Sequence, residues 1–108
     1  MGAQLMTYSH IIDVPAPIEF YDVSHAAIRE IAGPDGVDGL LVHVGRATDA
    51  GFEIIEVWRS KEHAERFVQD LWPKVMAKIP GGAGMEAPLP REFELRGLNI
   101  VGRDDLFV

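Results

Sequence analysis

Residues 39–67, GLLVHVGRATDAGFEIIEVWRSKEHAERF, decide the fold of this chain. Two segments rich in Val, Ile and Leu, Leu40 to Val44 and Phe52 to Trp58, have the composition of β-strands. The polar turn at 48–51 is short enough to join them as a hairpin. Ser60 can then accept a bond from a first-turn N–H and cap a helix. The stretch therefore predicts strand, hairpin, strand and helix.

The residues before this stretch predict a strand and a helix. In the segment from Met6 to Val14, apolar and aromatic side chains recur at every second position, which is typical of a strand. Pro15 closes that strand. A helix is expected to begin near Pro17, since proline suits the first turn, and to end at Gly33.

The residues after Ser60 predict a second helix, a loop and a last strand. Apolar residues follow at steps of three and four, namely Ala64, Phe67, Val68, Leu71, Val75 and Ile79. Pro73 is expected to kink this helix or end its regular part. Residues 80–90 hold three Gly and three Pro and predict an irregular loop. Phe93 to Val101 is the predicted fourth strand, and 102–108 form a short C-terminal tail.

This order of elements, βαββαβ, predicts an α+β, ferredoxin-like domain that covers residues 1–108. The four-stranded antiparallel sheet is expected in the order 4-1-3-2, with both helices on one face. The other face would carry Ile11, Ile55 and Val57, which need a cover. A second copy of the chain is the simplest cover, so we expect a homodimer through the sheet face away from the helices.

Composition excludes several kinds of partner and chemistry. A formal charge of −7 repels phosphate backbones, and no basic stripe offsets it, so no nucleic acid is expected. No apolar run approaches the roughly 20 residues that cross a bilayer, and no signal sequence is visible, so we expect a cytoplasmic protein without a membrane partner. Without cysteine, any chemistry must use His, acids, hydroxyls or aromatics.

The segment from Ile54 to Ser60, followed by Ala64 and Phe67, resembles the Glu-x-Trp-x-Ser segment of the antibiotic-biosynthesis-monooxygenase-like family, the dimeric α+β barrel proteins. Strand order and length agree across nearly the whole chain. The resemblance implies a ligand cleft between the sheet and the helices, and a dimer through the opposite sheet face. Members of this group include cofactor-independent oxygenases of aromatic polyketides and haem-degrading enzymes.

The resemblance also transfers residue by residue. Trp58 matches the family Trp, and His10 falls near the Asn that haem-degrading members have on strand one. Where those members have the haem-ligating His, this chain has Phe67 and Val68, and His63 lies too early. Haem is therefore not expected, and we predict no cofactor.

The candidate catalytic residues follow from strand alternation. His10 lies on one face of strand one, and Glu56 and Trp58 share one face of strand three. If the hairpin pairs Val44 with Ile55, His43 lies opposite Glu56 on that same face. A histidine beside a carboxylate can remove a proton near neutral pH, and Trp58 can stack on an aromatic ligand.

Further residues are candidates for ligand binding. They are Tyr8, Tyr21, His25 and Phe67. No spacing such as HExxH occurs, so no metal site is predicted. An ordinary structural reading also remains open, in which Glu56 pairs with Arg46 or Arg59 and Trp58 fills the core.

Together these features predict a dimeric α+β barrel protein that binds a small organic molecule. Its expected activity is that of a cofactor-independent monooxygenase acting on an aromatic or polyketide-like substrate. The alternative is a non-catalytic ligand-binding or interaction protein of the same fold, without enzymatic activity.

Overall fold

The computed structural model describes residues 7–102. Its strands are β1 (Tyr8–Val14), β2 (Leu40–Thr48), β3 (Gly51–Trp58) and β4 (Arg91–Phe93), and its helices are α1 (Ile18–Ala32), α2 (Lys61–Arg66) and α3 (Trp72–Ala77). A π-helical turn, Phe67–Leu71, joins α2 to α3. The predicted α+β class with a four-stranded antiparallel sheet is confirmed. Within the described range, no helix has both the length and the apolar character needed to cross a bilayer.

The strands lie in the order β2-β3-β1-β4, and all neighbours are antiparallel. The hairpin register pairs Val44 with Ile55 and His43 with Glu56. On the other side of β3, His10 of β1 also pairs with Glu56. Because cross-strand partners share a face, both histidines point to the same side of the sheet as Glu56.

The helices cover that same side of the sheet. The ring of Phe20 in α1 stacks on Phe52 of β3 at 6.4 Å between ring centroids. The ring of Phe67, at the start of the π-helical turn, lies 5.8 Å from that of Trp58. The helices also pack on each other through a buried cluster of Ala27, Val75 and Met76. The space between helices and sheet is the interior of the domain.

Local signals set the helix ends largely as expected. Helix α1 begins directly after Pro17, and Gly33 ends it with a φ of 76°, a conformation that favours glycine. The side chain of Ser60 accepts a hydrogen bond from the backbone N–H of His63 at 3.2 Å, which confirms the predicted cap. Pro73 lies just after the π-helical turn, where a residue without an N–H interrupts the regular bonding pattern.

Two strand boundaries differ from expectation. Strand β2 continues to Thr48 because Arg46 pairs with Glu53, and their side chains form an ion pair at 2.8 Å. The prediction of a fourth strand from Phe93 to Val101 is wrong, since β4 contains only Arg91–Phe93. Its ladder covers only the three positions that face Ser9 to Ile11 of β1.

Apolar residues continue along the segment that was predicted as the rest of the fourth strand. Leu95, Leu98 and Ile100 are partly buried, although 94–99 form no ladder. Leu95 and Leu98 are therefore partly buried without the backbone hydrogen bonds of a strand. The apolar residues at 106–108 of the predicted tail lie outside the described range.

Gly45 provides the first testable prediction. A Cβ at this position would lie 2.4 Å from two ring carbons of Tyr21, so the tyrosine lies directly against the strand. Gly45→Ala should therefore displace that ring and lower the free energy of unfolding in urea by about 1–3 kcal/mol. The control is Ala47→Ser, at an exposed position two residues further along the same face of β2. This substitution should change the free energy of unfolding by less than about 0.5 kcal/mol. Equal stability of the two variants would contradict the packing of Tyr21 on β2.

Candidate functional site

The centre of the candidate site is the buried carboxylate of Glu56, which accepts hydrogen bonds from three side chains. The donors are Nε2 of His10 at 2.8 Å, Nδ1 of His43 at 2.7 Å and Nε1 of Trp58 at 3.2 Å. His10 lies on β1, His43 lies on β2, and Trp58 lies on β3, the strand that also carries Glu56. Arg46, considered as a partner of Glu56 from the sequence, binds Glu53 instead.

These contacts determine the charge of Glu56. Burial would raise the pKa of its carboxyl, but the hydrogen bonds and positive character of His10 and His43 outweigh burial and lower the pKa to about 2. The group is therefore ionised at neutral pH and acts only as an acceptor. Each histidine must present an N–H to it.

His43 is held in one tautomer by this arrangement. Because Nδ1 donates to Glu56, the neutral ring has its lone pair on Nε2. The hydroxyl of Tyr21 lies 2.9 Å from that nitrogen and donates to it. Burial, then the charges of Asp22 and Glu56, raise the pKa of Tyr21, so the hydroxyl keeps its proton at neutral pH.

His25 ends the chain of hydrogen bonds. Its Nδ1 lies 2.8 Å from the Tyr21 oxygen. The hydroxyl proton of Tyr21 is used in the hydrogen bond to His43, so the oxygen accepts a hydrogen bond from His25. The lone pair of His25 is consequently on Nε2. Burial is the largest effect that lowers the pKa of His25, and the nearby His43 and Arg29 lower it further. The ring is therefore uncharged at neutral pH, and its Nε2 can accept a proton. The chain of hydrogen bonds therefore runs from the base His25 through Tyr21 and His43 to the buried carboxylate of Glu56.

A cavity of about 840 Å³ lies beside this chain, between α1 and the sheet; we call it the α1 cavity. Both His25 and His43 line it. Its apolar walls include Ile28, Leu40 and Phe67. A cavity of this size, with apolar walls and a few polar groups, is typical of small-molecule sites.

Trp58 has a different position from the one expected of a ligand-stacking residue. It lines the α1 cavity, but only 1% of its surface is exposed, so it packs as a floor beneath the site. Its indole N–H is already used by Glu56. The core-filling interpretation of Trp58 therefore describes its packing, while its hydrogen bond adds a third donor to the carboxylate.

The structure brings His10, His43 and Trp58 together around Glu56, but they line two different cavities. His10 and Tyr8 line a separate cavity of about 520 Å³ beside α2, which we call the α2 cavity. The physical reason is that Glu56 lies between the two histidines, with one on each neighbouring strand. The candidates for ligand binding divide in the same way, with His25 and Phe67 in the α1 cavity and Tyr8 in the α2 cavity.

Several further residues line these cavities although the sequence pattern did not single them out. Arg29 lines the α1 cavity, and Lys61 and Glu92 line the α2 cavity. The spacing of His25 and Arg29, four residues apart on one helix, is a signal that could have identified Arg29. Glu92 was not considered because the fourth strand was expected to begin one residue later. Among residues 7–102, no group of three His, Cys, Asp or Glu side chains is arranged to hold a metal ion.

No family model, curated protein or solved structure matches this chain. The function of the site must therefore follow from its geometry and its electrostatics. The strongest geometric feature is the hydrogen-bonded chain that begins at Glu56 and ends at His25 in the α1 cavity.

The depressed pKa of Glu56 predicts how stability changes with pH. A carboxyl whose pKa is lower in the folded chain contributes stability that is complete above its usual pKa of 4.5 and is lost as the pH falls toward about 2. At ~1.4 kcal/mol per pH unit this contribution is about 3 kcal/mol. Urea denaturation should show wild type losing stability more steeply than Glu56→Gln below pH 4.5. Glu62→Gln, which changes an exposed acid, should follow wild type, and parallel curves for wild type and Glu56→Gln would contradict the ionised centre.

Proposed function

We propose that this protein binds a small aromatic or polyketide-like molecule in the α1 cavity and acts as a cofactor-independent monooxygenase. The observation that carries the proposal is the hydrogen-bonded chain from Glu56 through His43 and Tyr21 to His25, which presents a basic nitrogen at the cavity wall. A substrate with an acidic C–H beside an aromatic ring or carbonyl would lose its proton there.

The proton step uses groups that are already in contact. Nε2 of His25 takes the substrate proton, and the proton on Nδ1 moves to the Tyr21 oxygen over 2.8 Å. The hydroxyl proton of Tyr21 then moves to Nε2 of His43 over 2.9 Å. The positive charge ends on His43, 2.7 Å from the carboxylate of Glu56. The buried negative charge thereby stabilises the proton taken from the substrate.

The oxygen step follows from the deprotonated substrate. Its electron-rich carbon forms a bond to dioxygen, and the resulting peroxide anion takes back the proton held by the histidine chain. Loss of water from this hydroperoxide leaves a carbonyl. The net change converts a methylene group and dioxygen into a carbonyl and water. The carbon supplies all the electrons that dioxygen accepts, so the reaction needs no other reductant.

The walls of the α1 cavity support an aromatic ligand. Ile28, Leu40 and Phe67 offer apolar surface, and rings pack well on such walls. Arg29 also lines the cavity and carries a positive charge, which would attract the anion formed by deprotonation. The same features fit the non-catalytic alternative, in which the ligand binds and no oxygen is consumed.

We further propose that the chain is a homodimer of the α+β barrel type, joined through the sheet face away from the helices. On that face Val44 is 46% exposed, and Ile11 and Ile55 are only partly buried. Val57, which was also expected to need a cover, is already buried within the single chain. One ion pair, between Arg46 and Glu53 at 2.8 Å, flanks this apolar area. An apolar area beside charged residues is the usual composition of an interface between two copies.

The activity prediction concerns His25. Oxygen consumption with an anthrone as substrate should be saturable for wild type, and His25→Gln should lower kcat by about 10²–10⁴-fold with little change in anthrone affinity. Tyr21→Phe should also lower kcat, because it removes the group that connects His25 to His43. Binding can be followed by tryptophan fluorescence.

The control is His63→Gln, which changes a histidine that does not line the α1 cavity and should leave kcat unchanged. Saturable anthrone binding without oxygen uptake by wild type would favour the non-catalytic alternative. An unaltered kcat in His25→Gln would contradict the proposed base.

The dimer prediction uses two matched surface positions. Light scattering at micromolar concentration should give twice the 11.9 kDa mass of one chain. Val44→Lys should shift the mass toward a single chain, whereas Val23→Lys, at a 50% exposed position on α1, should not. A wild-type mass of one chain would remove the proposed interface.

A further inference from the structure

Arg29 is a charged residue of the α1 cavity that the proposed chain of proton transfers does not use. It lies on α1 four residues after His25, so the two side chains are neighbours on one face of the helix, with about 5–6 Å between their Cβ atoms. Both residues line the α1 cavity. The charge of Arg29 is also one of the causes that lower the pKa of His25, as expected when a guanidinium lies close to the ring.

The guanidinium of Arg29 forms no ion pair with any carboxylate of residues 7–102. Cationic side chains in the lining of other cavities are paired, since Lys61 lies 3.0 Å from Glu92 and Arg66 lies 3.9 Å from Asp38. An arginine without a carboxylate keeps its N–H donors for water or for a ligand. In a chain with a formal charge of −7, a free positive charge therefore lies at the wall of the α1 cavity.

The two acidic residues in the lining of the α1 cavity are Glu30 and Glu56, and donors of the protein already bind both of them. Oε1 of Glu30 accepts a hydrogen bond from Nζ of Lys78 at 3.1 Å. Glu56 is buried and accepts hydrogen bonds from three side chains. A ligand anion in this cavity would therefore meet a free guanidinium, while the charges of both carboxylates are partly balanced by their own donors.

We propose that Arg29 is a specificity-determining residue of the α1 cavity and that the ligand is an aromatic or polyketide-like carboxylate. The ligand carboxylate accepts paired hydrogen bonds from the guanidinium of Arg29, and the ring packs on the apolar wall of Ile28, Leu40 and Phe67 with one edge at His25. This inference rests on the proposed binding of a small molecule in the α1 cavity, and it holds for the oxygenase and for the non-catalytic alternative.

This role of Arg29 differs from attraction of the anion that forms on deprotonation. A ligand carboxylate carries its charge before any proton is lost, so its ion pair with Arg29 forms as soon as the ligand binds. Loss of the guanidinium should therefore weaken binding of the carboxylate and leave binding of a neutral ligand of the same shape unchanged.

The test compares anthracene-2-carboxylate with anthracene-2-carboxamide, which has the same shape without the charge, by fluorescence anisotropy of the probe at neutral pH. Neither probe has the methylene hydrogens of an anthrone, so affinity is measured without turnover. Wild type should bind the carboxylate about 5–10-fold more tightly than the carboxamide. Arg29→Gln changes an exposed residue, so the fold should persist, and it should lower the affinity for the carboxylate to that for the carboxamide. Equal affinity of wild type for the two probes would overturn the inference, as would a preference that persists in Arg29→Gln.

The control is Arg66→Gln, which removes the same charge from an exposed helix position outside the α1 cavity. This variant should keep the wild-type preference for the carboxylate. An equal loss of preference in Arg29→Gln and Arg66→Gln would mean that the net charge of the chain causes it, and would overturn the assignment to Arg29.

Oxygen uptake with an anthrone separates this inference from the proposed function. Oxygen uptake by wild type without a preference for the carboxylate probe would overturn the role of Arg29 and leave the oxygenase proposal in place. A preference that depends on Arg29, without oxygen uptake, would support the role of Arg29 and favour the non-catalytic alternative. If wild type bound neither probe and no anthrone, both proposals would be overturned.

Discussion

The buried carboxylate of Glu56 is the interaction on which the rest of the site depends. A charge in this position is stable only when surrounding donors replace the water it has lost. Three side chains supply those donors: His10 on β1, His43 on β2 and Trp58 on β3. The carboxylate therefore connects β1, β2 and β3 through side chains as well as backbone. It also fixes which nitrogen of each histidine carries the proton.

A consequence of this geometry is that one charge serves two cavities. Nε2 of His43 is bound by Tyr21 on the side of the α1 cavity, whereas the ring of His10 belongs to the lining of the α2 cavity. Hydrogen bonds converge on Glu56 from both sides, so a proton taken up on either side is stabilised by the same carboxylate.

Strand alternation and hairpin length were sufficient to predict that His43 lies opposite Glu56, because side chains alternate with a period of two and the turn sets the register. The contact of His43 with Tyr21 was not predictable, since it requires α1 to pack on the bare backbone of Gly45. The division into two cavities was not predictable for a related reason. Strand alternation shows which face of the sheet a side chain lies on, but not which helix covers it there. The short β4 shows that partly buried apolar residues do not by themselves form a ladder.

The most direct test of this account is the protonation pattern of the histidine rings, measured by long-range ¹H–¹⁵N NMR at neutral pH. The account predicts that His43 and His25 carry their proton on Nδ1 and that His10 carries its proton on Nε2, because each position follows from an ionised Glu56. A proton on Nε2 of neutral His43 would contradict the account, since that ring could not donate to Glu56 or accept from Tyr21.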